Sequence, residues 1–336
     1  MLFIATHKLL EDKVVIPEGT TDVAIADHIC GFDSKYHNDL FARLDQLGPM
    51  SVYTEYIFND VVKQKYPNLD FKFNLDMHIV AGGLDSFVNY KIHPQLTFEN
   101  FICSFTGTHS HVGTKMLLAA MHKFGWYNSE YVSKNSIFSK DELDGHISDY
   151  VENDRLYRKF FFGNNDKEFF NSLNSFNYKG TDYFNNSHHP RNIQVLQHKL
   201  TKSFLHLVSE TMPTSYYPIY GEKFLYSVVT RGLFLSYANP YYHRNLAQHY
   251  GFRLYDTLFD YTFDSIENPV LRLIELMSMI SRYSCMSSDD WRDLYEIERD
   301  NIEFNYNHYH SGDYLECLKR YDVPDNQITK ILENIY

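Results

Sequence analysis

The chain has few cysteines, and they do not form the spacings of a metal or redox motif. Cys30, Cys103, Cys285 and Cys317 lie far apart and include no Cys-x-x-Cys pair. A small disulfide-stapled scaffold and a cysteine-based zinc site are therefore excluded. We predict four reduced cysteines in the core of a cytosolic protein.

Long apolar runs are also lacking. No stretch approaches the roughly 18 apolar residues that a membrane-spanning helix requires. Residues 1–10 lack the basic start and apolar centre of a secretory signal. We therefore expect a cytoplasmic protein without a membrane span.

Basic residues are scarce and are not run together. The chain has 31 Lys and Arg against 43 Asp and Glu, which gives a net charge of −12 with histidine neutral. Proteins that hold DNA or RNA neutralise its phosphates with clustered Lys and Arg. The acidic balance therefore disfavours DNA as a partner, although it is compatible with a local basic cleft.

Several catalytic motifs are absent. The sequence has no G-x-S-x-G, no H-E-x-x-H, no Walker A loop, no G-x-G-x-x-G and no Asp-x-Asp. Its histidine pairs, at 109/111, 188/189 and 308/310, lack the third and fourth ligands that zinc requires at standard spacing. We therefore predict no metal site, and any charged leaving group would be stabilised by helix dipoles and basic side chains.

Aromatic residues, by contrast, are abundant. They make up 17% of the 336 residues, with 28 Tyr and 26 Phe, and apolar residues make up 44%. Such a composition opposes disorder and supplies a substantial core. The length is sufficient for two domains.

The most informative segment is residues 203–256, in which apolar runs of strand length alternate with helical patterns. The predicted elements, strand, helix, strand, helix and strand, cover residues 204–208, 222–231, 233–238, 241–250 and 252–255. Alternation of this kind predicts a parallel sheet covered by helices. Ligands of such sheets bind beyond the carboxyl ends of the strands.

Glu222 and Lys223 stand at one of these loop-to-helix junctions. Unpaired N–H groups at a helix start, together with the charge of Lys223, could hold a phosphate, and Glu222 could accept hydrogen bonds from sugar hydroxyls. The plainer alternative is that Glu222 favours the helix dipole and Lys223 is a solvated surface charge. Gly232 and Gly251 end the two predicted helices as C′ residues.

A second unit of this type begins near residue 98. A buried strand over residues 100–105 leads into a polar loop over 106–111 and a helix over 112–124. A strand, a glycine-containing loop and a helix can cradle phosphate. An ordinary βα unit with a surface lysine at Lys115 is the alternative.

The remaining elements are predicted from shorter patterns. We expect strands at residues 23–29 and 77–81, and helices at residues 40–47, 53–62, 190–201, 289–305 and 325–335 and after Pro269.

The pattern of residues 203–276 resembles the donor-binding domain of fucosyltransferase-like glycosyltransferases of the GT-B type. This family includes α1,3-fucosyltransferases and many phage, giant-virus and bacterial proteins. Gly221 stands where the family usually has Thr or Ser, and Arg231-Gly232 replaces a plainer small-residue turn. The resemblance is carried by Ser209-Glu210-Thr211, Gly221-Glu222-Lys223, Asn239-Pro240 and Tyr250-Gly251-Phe252.

The resemblance implies an α/β fold of two Rossmann-like lobes with a cleft between them. We predict an acceptor-side lobe over residues 1–95, a nucleotide-sugar donor-binding lobe over 96–305 and a helical tail over 306–336 that packs back. A cytoplasmic location in a bacterium or in a virus-infected cell follows from the family's members.

The implied activity moves a sugar from a nucleotide-diphosphate sugar to a hydroxyl of a glycan or small molecule. No bound cofactor is implied, since the nucleotide sugar is a co-substrate. Lys223, with Lys115 as a second cation, would neutralise the diphosphate, and the acceptor base would be Asp33 or Asp85. The donor-binding candidates are Glu222, Lys223, Glu210, Lys115, Gly221, Tyr220, Thr106, Gly107 and His109.

Two other functions remain open. One is a phage enzyme that glycosylates a hydroxymethylated pyrimidine in DNA, which would require the base to flip out of the duplex. The other is a protein that binds a nucleotide sugar or glycan without turnover.

Overall fold

The fold is mixed α/β and contains two four-stranded parallel sheets in the part of the chain that the structure describes. The structure is a computed structural model. It describes residues 2–5, 14–26, 34–54, 60–73, 87, 89–105, 112–128, 130–133, 155–156, 159–160, 163, 189–210, 220 and 223–321.

The first sheet lies in the N-terminal part of the chain. Its four strands neighbour one another in chain order, and every pair is parallel. Apolar side chains from the strands and from helix α1 form one hydrophobic cluster, which includes Val23, Phe41 and Val52. The elements are β1 Leu2–Ala5, β2 Asp22–Ala26, α1 Ser34–Gln46, β3 Met50–Thr54, α2 Asp60–Lys65 and β4 Leu69–Phe73.

The second sheet has the order β6-β5-β7-β8, again with every pair parallel. All residues of β7 and β8 are buried. Strands covered on both faces read as continuous apolar runs, and this is how the sequence presents them. The strands are β5 Asn100–Phe105, β6 Val132–Ser133, β7 Ser203–Ser209 and β8 Leu233–Tyr237.

Helices surround this second sheet and build a larger hydrophobic cluster with it. None of the helices in the described ranges has the length and apolar content that crossing a bilayer requires. The α-helices are α3 Val112–Lys123, α4 His189–Lys202, α5 Lys223–Val229, α6 Tyr242–Tyr250, α7 Pro269–Ser281, α8 Ser288–Ile297, α9 Arg299–His310 and α10 Asp313–Glu316. Two 3₁₀ helices cover Tyr261–Ser265 and Cys317–Tyr321.

Local capping explains where helix α7 begins. Asn268 accepts hydrogen bonds from the N–H groups of Val270 and Leu271 at 2.9 and 3.1 Å, and Pro269 occupies the first turn of α7. Both features satisfy or remove donors that a helix start leaves unpaired. The start of α7 at Pro269 is therefore confirmed.

Most predicted elements of the second sheet are confirmed. The strands predicted at residues 100–105, 204–208 and 233–238 are β5, β7 and β8, and the helix predicted at 241–250 is α6. Gly251 ends α6 with φ of 76°, as expected for a C′ glycine.

Three predicted elements are wrong. Residues 53–62 are not one helix, because residue 53 lies in β3 and α2 begins only at Asp60. Residues 252–255 do not form a strand. The single helix predicted over residues 289–305 is divided between α8 and α9.

The segment 252–255 is not a strand because a helix side chain takes its backbone hydrogen bonds. Asn305 of α9 accepts from the N–H of Arg253 at 2.7 Å and donates to the carbonyl of Arg253 at 2.9 Å. A side-chain amide thus replaces a neighbouring strand, and no sequence pattern of residues 252–255 could show this.

Glu298 separates α8 from α9 for a similar reason. Its side chain is fully buried, and its carboxylate accepts hydrogen bonds from the N–H of Thr257 at 3.0 Å and from the amide of Asn301 at 2.7 Å. Its backbone, at φ −99° and ψ 4°, departs from helical values. The buried contacts of one carboxylate therefore interrupt a helical sequence.

Glycine is required at position 232 because a side chain would not fit there. The prediction that Gly232 is the C′ residue of the preceding helix is wrong. The residue with positive φ after α5 is Arg231, at 54°. A Cβ atom on Gly232 would lie 2.0 Å from Cε1 of the buried His206 in β7. Only glycine allows the turn to approach β7 this closely.

The remaining predictions concern the cysteines, two further elements and the lobe boundaries. Cys103 is buried as predicted, but Cys285 is exposed, so the prediction that all four cysteines lie in the core is wrong. The strand at residues 77–81 and the helix at 325–335 lie outside the described residues. The proposed lobe boundaries remain predictions.

We predict that Gly232→Ala lowers the free energy of unfolding by about 1–3 kcal/mol, the usual cost of overpacking a filled core. Urea unfolding measures this. In the His206→Ala background, the same substitution should cost clearly less, because the ring that the new methyl would meet is gone. Equal costs in both backgrounds would contradict the steric explanation.

His206 predicts a dependence of stability on pH. Its Nε2 donates to the carbonyl of Leu200 at 2.8 Å, while its Nδ1 is buried without a partner. Burial lowers the pKa of His206 from 6.5 to about 4. The unfolded chain therefore binds the extra proton first, so stability is fully present above about pH 6.5 and falls as the pH drops towards 4.

The matched variant is His206→Gln, which keeps an amide donor but cannot titrate. Wild type should lose about 3 kcal/mol more than the variant between pH 7 and pH 4. Urea unfolding at several pH values measures the difference. Parallel curves for the two proteins would contradict a buried neutral histidine.

Candidate functional site

A buried ion pair lies at the carboxyl end of the second sheet. Glu210 follows β7, and its N–H donates to the carbonyl of Tyr237 at the end of β8, at 3.1 Å. Lys223 begins α5, and its Nζ lies 3.3 Å from Oε2 of Glu210. The two side chains are only 7% and 4% exposed, so the pair is largely removed from water.

Tyr242 of α6 holds the other oxygen of the same carboxylate. Its hydroxyl donates to Oε1 of Glu210 at 2.9 Å. Burial, together with the adjacent Glu210, raises the pKa of Tyr242 well above its usual range, so the hydroxyl stays a donor. Tyr220 packs against Tyr242 with ring centroids 4.9 Å apart, and its hydroxyl donates to the carbonyl of Tyr242 at 3.1 Å.

A histidine and an aspartate fasten the start of α6 to the edge of the sheet. The N–H of Ser236 in the edge strand β8 donates to Nε2 of His243 at 3.0 Å. The proton of His243 therefore lies on Nδ1, which donates to Asp264 at 2.8 Å. Both side chains are almost fully buried. His243 thus covers a backbone donor that an edge strand would otherwise expose.

Asp264 also caps α6. Its two carboxylate oxygens accept from the backbone N–H groups of His243 and Arg244 at 3.2 and 3.0 Å. Burial alone would raise the pKa of Asp264, but His243 and these N–H groups outweigh burial and lower it. We call Glu210, Lys223, Tyr242, His243 and Asp264 the strand-end cluster.

A buried arginine completes the carboxyl end of β8. Arg272 of α7 is 1% exposed, and its Nε donates to the carbonyl of Ala238 at 2.8 Å. Its Nη1 donates to the carbonyls of Ile266 and Glu267. Burial lowers the pKa of Arg272 below its usual value. This guanidinium ties α7 to the loop that precedes it.

The structure brings together three of the predicted donor-site residues, Glu210, Lys223 and Tyr220. Lys115 lies in α3 as predicted, and its role remains a prediction. The other candidates lie outside the described residues, namely Asp33, Asp85, Thr106, Gly107, His109, Gly221 and Glu222.

Sequence reasoning missed most members of the strand-end cluster. Tyr242, His243 and Asp264 were not predicted as site residues, and neither was Arg272. One signal was available for Arg272, because a cation between the apolar residues Leu271 and Leu273, in the helix predicted after Pro269, is unusual unless it is paired. Asp264 carried no comparable signal, since its partners His243 and Arg244 lie 21 and 20 residues earlier in the chain.

A cavity of about 980 Å³ lies on the outer side of α6. Its walls are the exposed side of α6, the segment 254–260, the 3₁₀ helix Tyr261–Ser265 and Arg282 after α7. Asp264 is the one member of the strand-end cluster that lines it, while Lys223 and Glu210 do not. Tyr241 lines the cavity, and Tyr242, the next residue, contacts Glu210.

Comparison of the chain with protein-family models, with curated proteins and with solved structures finds no match. Among the described residues, no group of three or more His, Cys, Asp or Glu side chains is arranged to hold a metal ion. The chemistry of the strand-end cluster is therefore the basis for assigning a function.

We predict that Lys223→Met lowers the free energy of unfolding by about 3–5 kcal/mol, because it leaves the buried carboxylate of Glu210 without its cation. The double variant Lys223→Met/Glu210→Gln should recover much of this loss, since a neutral amide still accepts from Tyr242. Urea unfolding of the two single variants and the double variant measures the coupling. Strictly additive effects would contradict a buried ion pair.

Proposed function

We propose that the chain is a glycosyltransferase that moves a sugar from a nucleotide-diphosphate sugar to a hydroxyl of a glycan or small molecule. In this proposal it is a fucosyltransferase-like enzyme of the GT-B type, whose donor-binding lobe contains the second sheet. The first sheet would belong to the acceptor-side lobe, with a cleft between the two lobes.

The observation that carries the proposal is the position of Lys223. A lysine ammonium is rarely buried, because removal from water is costly unless the charge is paired. Here the ammonium is held by Glu210 beyond the carboxyl end of β7, where parallel sheets bind their ligands. A cation placed there in advance suits a leaving diphosphate.

Glu210 and Tyr242 would act as positioning residues for Lys223. Tyr242 and Lys223 bind opposite oxygens of the Glu210 carboxylate, so α5 and α6 are both tied to the end of β7. The diphosphate would approach an ammonium whose position is already set, which avoids reorganisation when negative charge develops.

Other roles in the proposal follow the resemblance. Glu222 would bind hydroxyls of the ribose or of the donor sugar next to Lys223. Lys115 would add a second cation at the start of α3, together with Thr106, Gly107 and His109 of the polar loop predicted from the sequence. Asp33 or Asp85 would accept the proton of the acceptor hydroxyl.

A nucleotide-diphosphate panel tests the donor site. UDP, GDP, CDP and dTDP are added separately, and the matching nucleotide should raise the melting temperature by mass action. Its dissociation constant is then measured by titration calorimetry with wild type, Lys223→Met and Lys202→Met. We expect Lys223→Met to weaken binding by about 1.5–3 kcal/mol, the scale of a hydrogen bond to a charged group.

Lys202→Met is the matched control. Lys202 is a partly exposed lysine at the end of α4 that pairs with Glu99 at 2.8 Å. It precedes β7, so this variant removes the same charge at the amino end of the strand, opposite to the end where Glu210 lies. Lys223→Met should be assayed well below its own melting temperature. Equal affinities in the two variants would refute the phosphate role of Lys223.

Turnover separates the remaining alternatives. Specific nucleotide binding with neither transfer nor donor hydrolysis would identify a non-catalytic binding protein. Transfer to hydroxymethylated duplex DNA would identify a DNA-base glycosyltransferase instead of an enzyme that acts on glycans or small molecules.

A further inference from the structure

Three residues other than glycine have positive φ in the described part of the chain, and one of them holds an exposed aromatic ring. They are Phe98, Arg231 and Tyr241, with φ of 50°, 54° and 62°. This left-handed conformation is unfavourable for bulky side chains and persists only where the surroundings compensate. Contacts that offset this unfavourable conformation are therefore expected at each of the three residues.

Phe98 and Arg231 are compensated internally. Phe98 is 3% exposed and packs against Phe204 and Tyr295 in the core. The guanidinium of Arg231 binds Glu303 through Nε, donates to the carbonyl of Ile92 and lies 3.5 Å from the ring centroid of Tyr306. In both cases the side chain gains contacts that the left-handed backbone makes accessible.

Tyr241 is held through its backbone: its N–H donates to the carbonyl of Asp264 at 2.6 Å, and its carbonyl accepts from the N–H of Asn245 at 2.8 Å. It precedes α6 at the N-cap position, where its side chain makes no capping hydrogen bond. Its residue surface is 38% exposed. The tyrosine lines the cavity on the outer side of α6, so a strained backbone holds an aromatic ring at the wall of an open cavity. The backbone hydrogen bonds account for the turn, whereas the exposed ring is available to a ligand in the cavity.

The exposed charges of the cavity walls are balanced. The positive charges of Arg244 and Arg282 are matched by the negative charges of Asp256 and Asp260, and all four residues are exposed. The fifth charged residue, Asp264, is engaged by His243 and by the start of α6. Neutral polar groups complete the wall, namely Gln248, Thr257, Thr262 and Ser265.

This arrangement disfavours an anionic ligand. The first N–H groups of α6 would attract a phosphate or carboxylate, but the carboxylate of Asp264 already accepts from two of them. Asp256 and Asp260 would also repel a second anion. A cation is disfavoured in turn by Arg244 and Arg282, and so the walls fit a neutral ligand with many hydroxyls.

We propose that this cavity binds a neutral oligosaccharide, with Tyr241 as the aromatic face on which one sugar ring rests. The guanidinium of Arg244 offers paired donors and the carboxylate of Asp256 paired acceptors, which match adjacent hydroxyls on a sugar ring. Arg282 donates to the carbonyl of Leu258 and Asp260 accepts from the N–H of Thr262, so each keeps only part of its hydrogen-bonding capacity for a ligand. Tyrosine offers an apolar face for the C–H surface of the ring and a polar edge for its hydroxyls. This site is separate from Lys223 and does not require the proposed transferase activity.

The substitution Tyr241→Gly separates binding from folding. Glycine adopts positive φ without strain, so the variant should keep or raise the melting temperature of wild type. The same variant should bind oligosaccharide at least about tenfold more weakly, because the aromatic face is lost. A ring whose role is purely structural would give a lower melting temperature.

The probes are neutral tetrasaccharides of glucose, galactose, mannose and N-acetylglucosamine, with inorganic pyrophosphate as the anionic probe. Saturation-transfer NMR detects binding, and titration calorimetry gives the dissociation constant. At least one tetrasaccharide should bind wild type, and pyrophosphate should not compete with it. The matched control is Arg292→Ala, which removes an exposed arginine of α8 outside the cavity and should bind as wild type does.

Two further variants complete the test. Arg244→Ala should weaken tetrasaccharide binding even if Tyr241→Gly fails to fold. Lys223→Met should leave it unchanged, so failure of the proposed donor site and failure of this cavity are distinguishable. The proposal is overturned if no tetrasaccharide binds wild type, if Tyr241→Gly and Arg244→Ala bind normally, or if pyrophosphate displaces the sugar.

Discussion

The burial of β7 and β8 on both faces is the constraint on which the rest of the second sheet depends. Every residue of these two strands is withdrawn from water, so the polar groups at their carboxyl ends must find partners within the protein. Glu210, at the end of β7, is therefore bound by Lys223 from α5 and by Tyr242 from α6. A single buried carboxylate thereby sets the position of both helices that follow the strands.

The same constraint explains the edge of the sheet. His243 accepts from the N–H of Ser236 in the edge strand, and Asp264 binds His243 and caps α6. The helix start is thereby occupied by a carboxylate of the protein. The start of α6 is therefore not available to an anion in the neighbouring cavity. That cavity instead has balanced exposed charges and an exposed Tyr241 in its wall.

Much of the second sheet was predictable because its signals are local. Apolar runs identified β5, β7 and β8, Gly251 marked the end of α6, and Asn268-Pro269 marked the start of α7. Only part of the candidate site could be predicted from such local signals. Lys223 and Glu210 could be placed at strand ends from the alternation of elements, but their direct contact joins residues 13 positions apart, which no local pattern encodes.

The sequence by itself determined the α/β class of the fold and three of the four strands of the second sheet, because periodicity, glycine and proline act over a few residues. Tertiary structure alone decided that Asn305 satisfies the backbone of Arg253, that Glu298 interrupts a helix, and that Gly232 is required by the ring of His206. Each of these depends on groups brought together from distant parts of the chain. Local propensity has no information on such contacts, and burial makes them strong enough to override it.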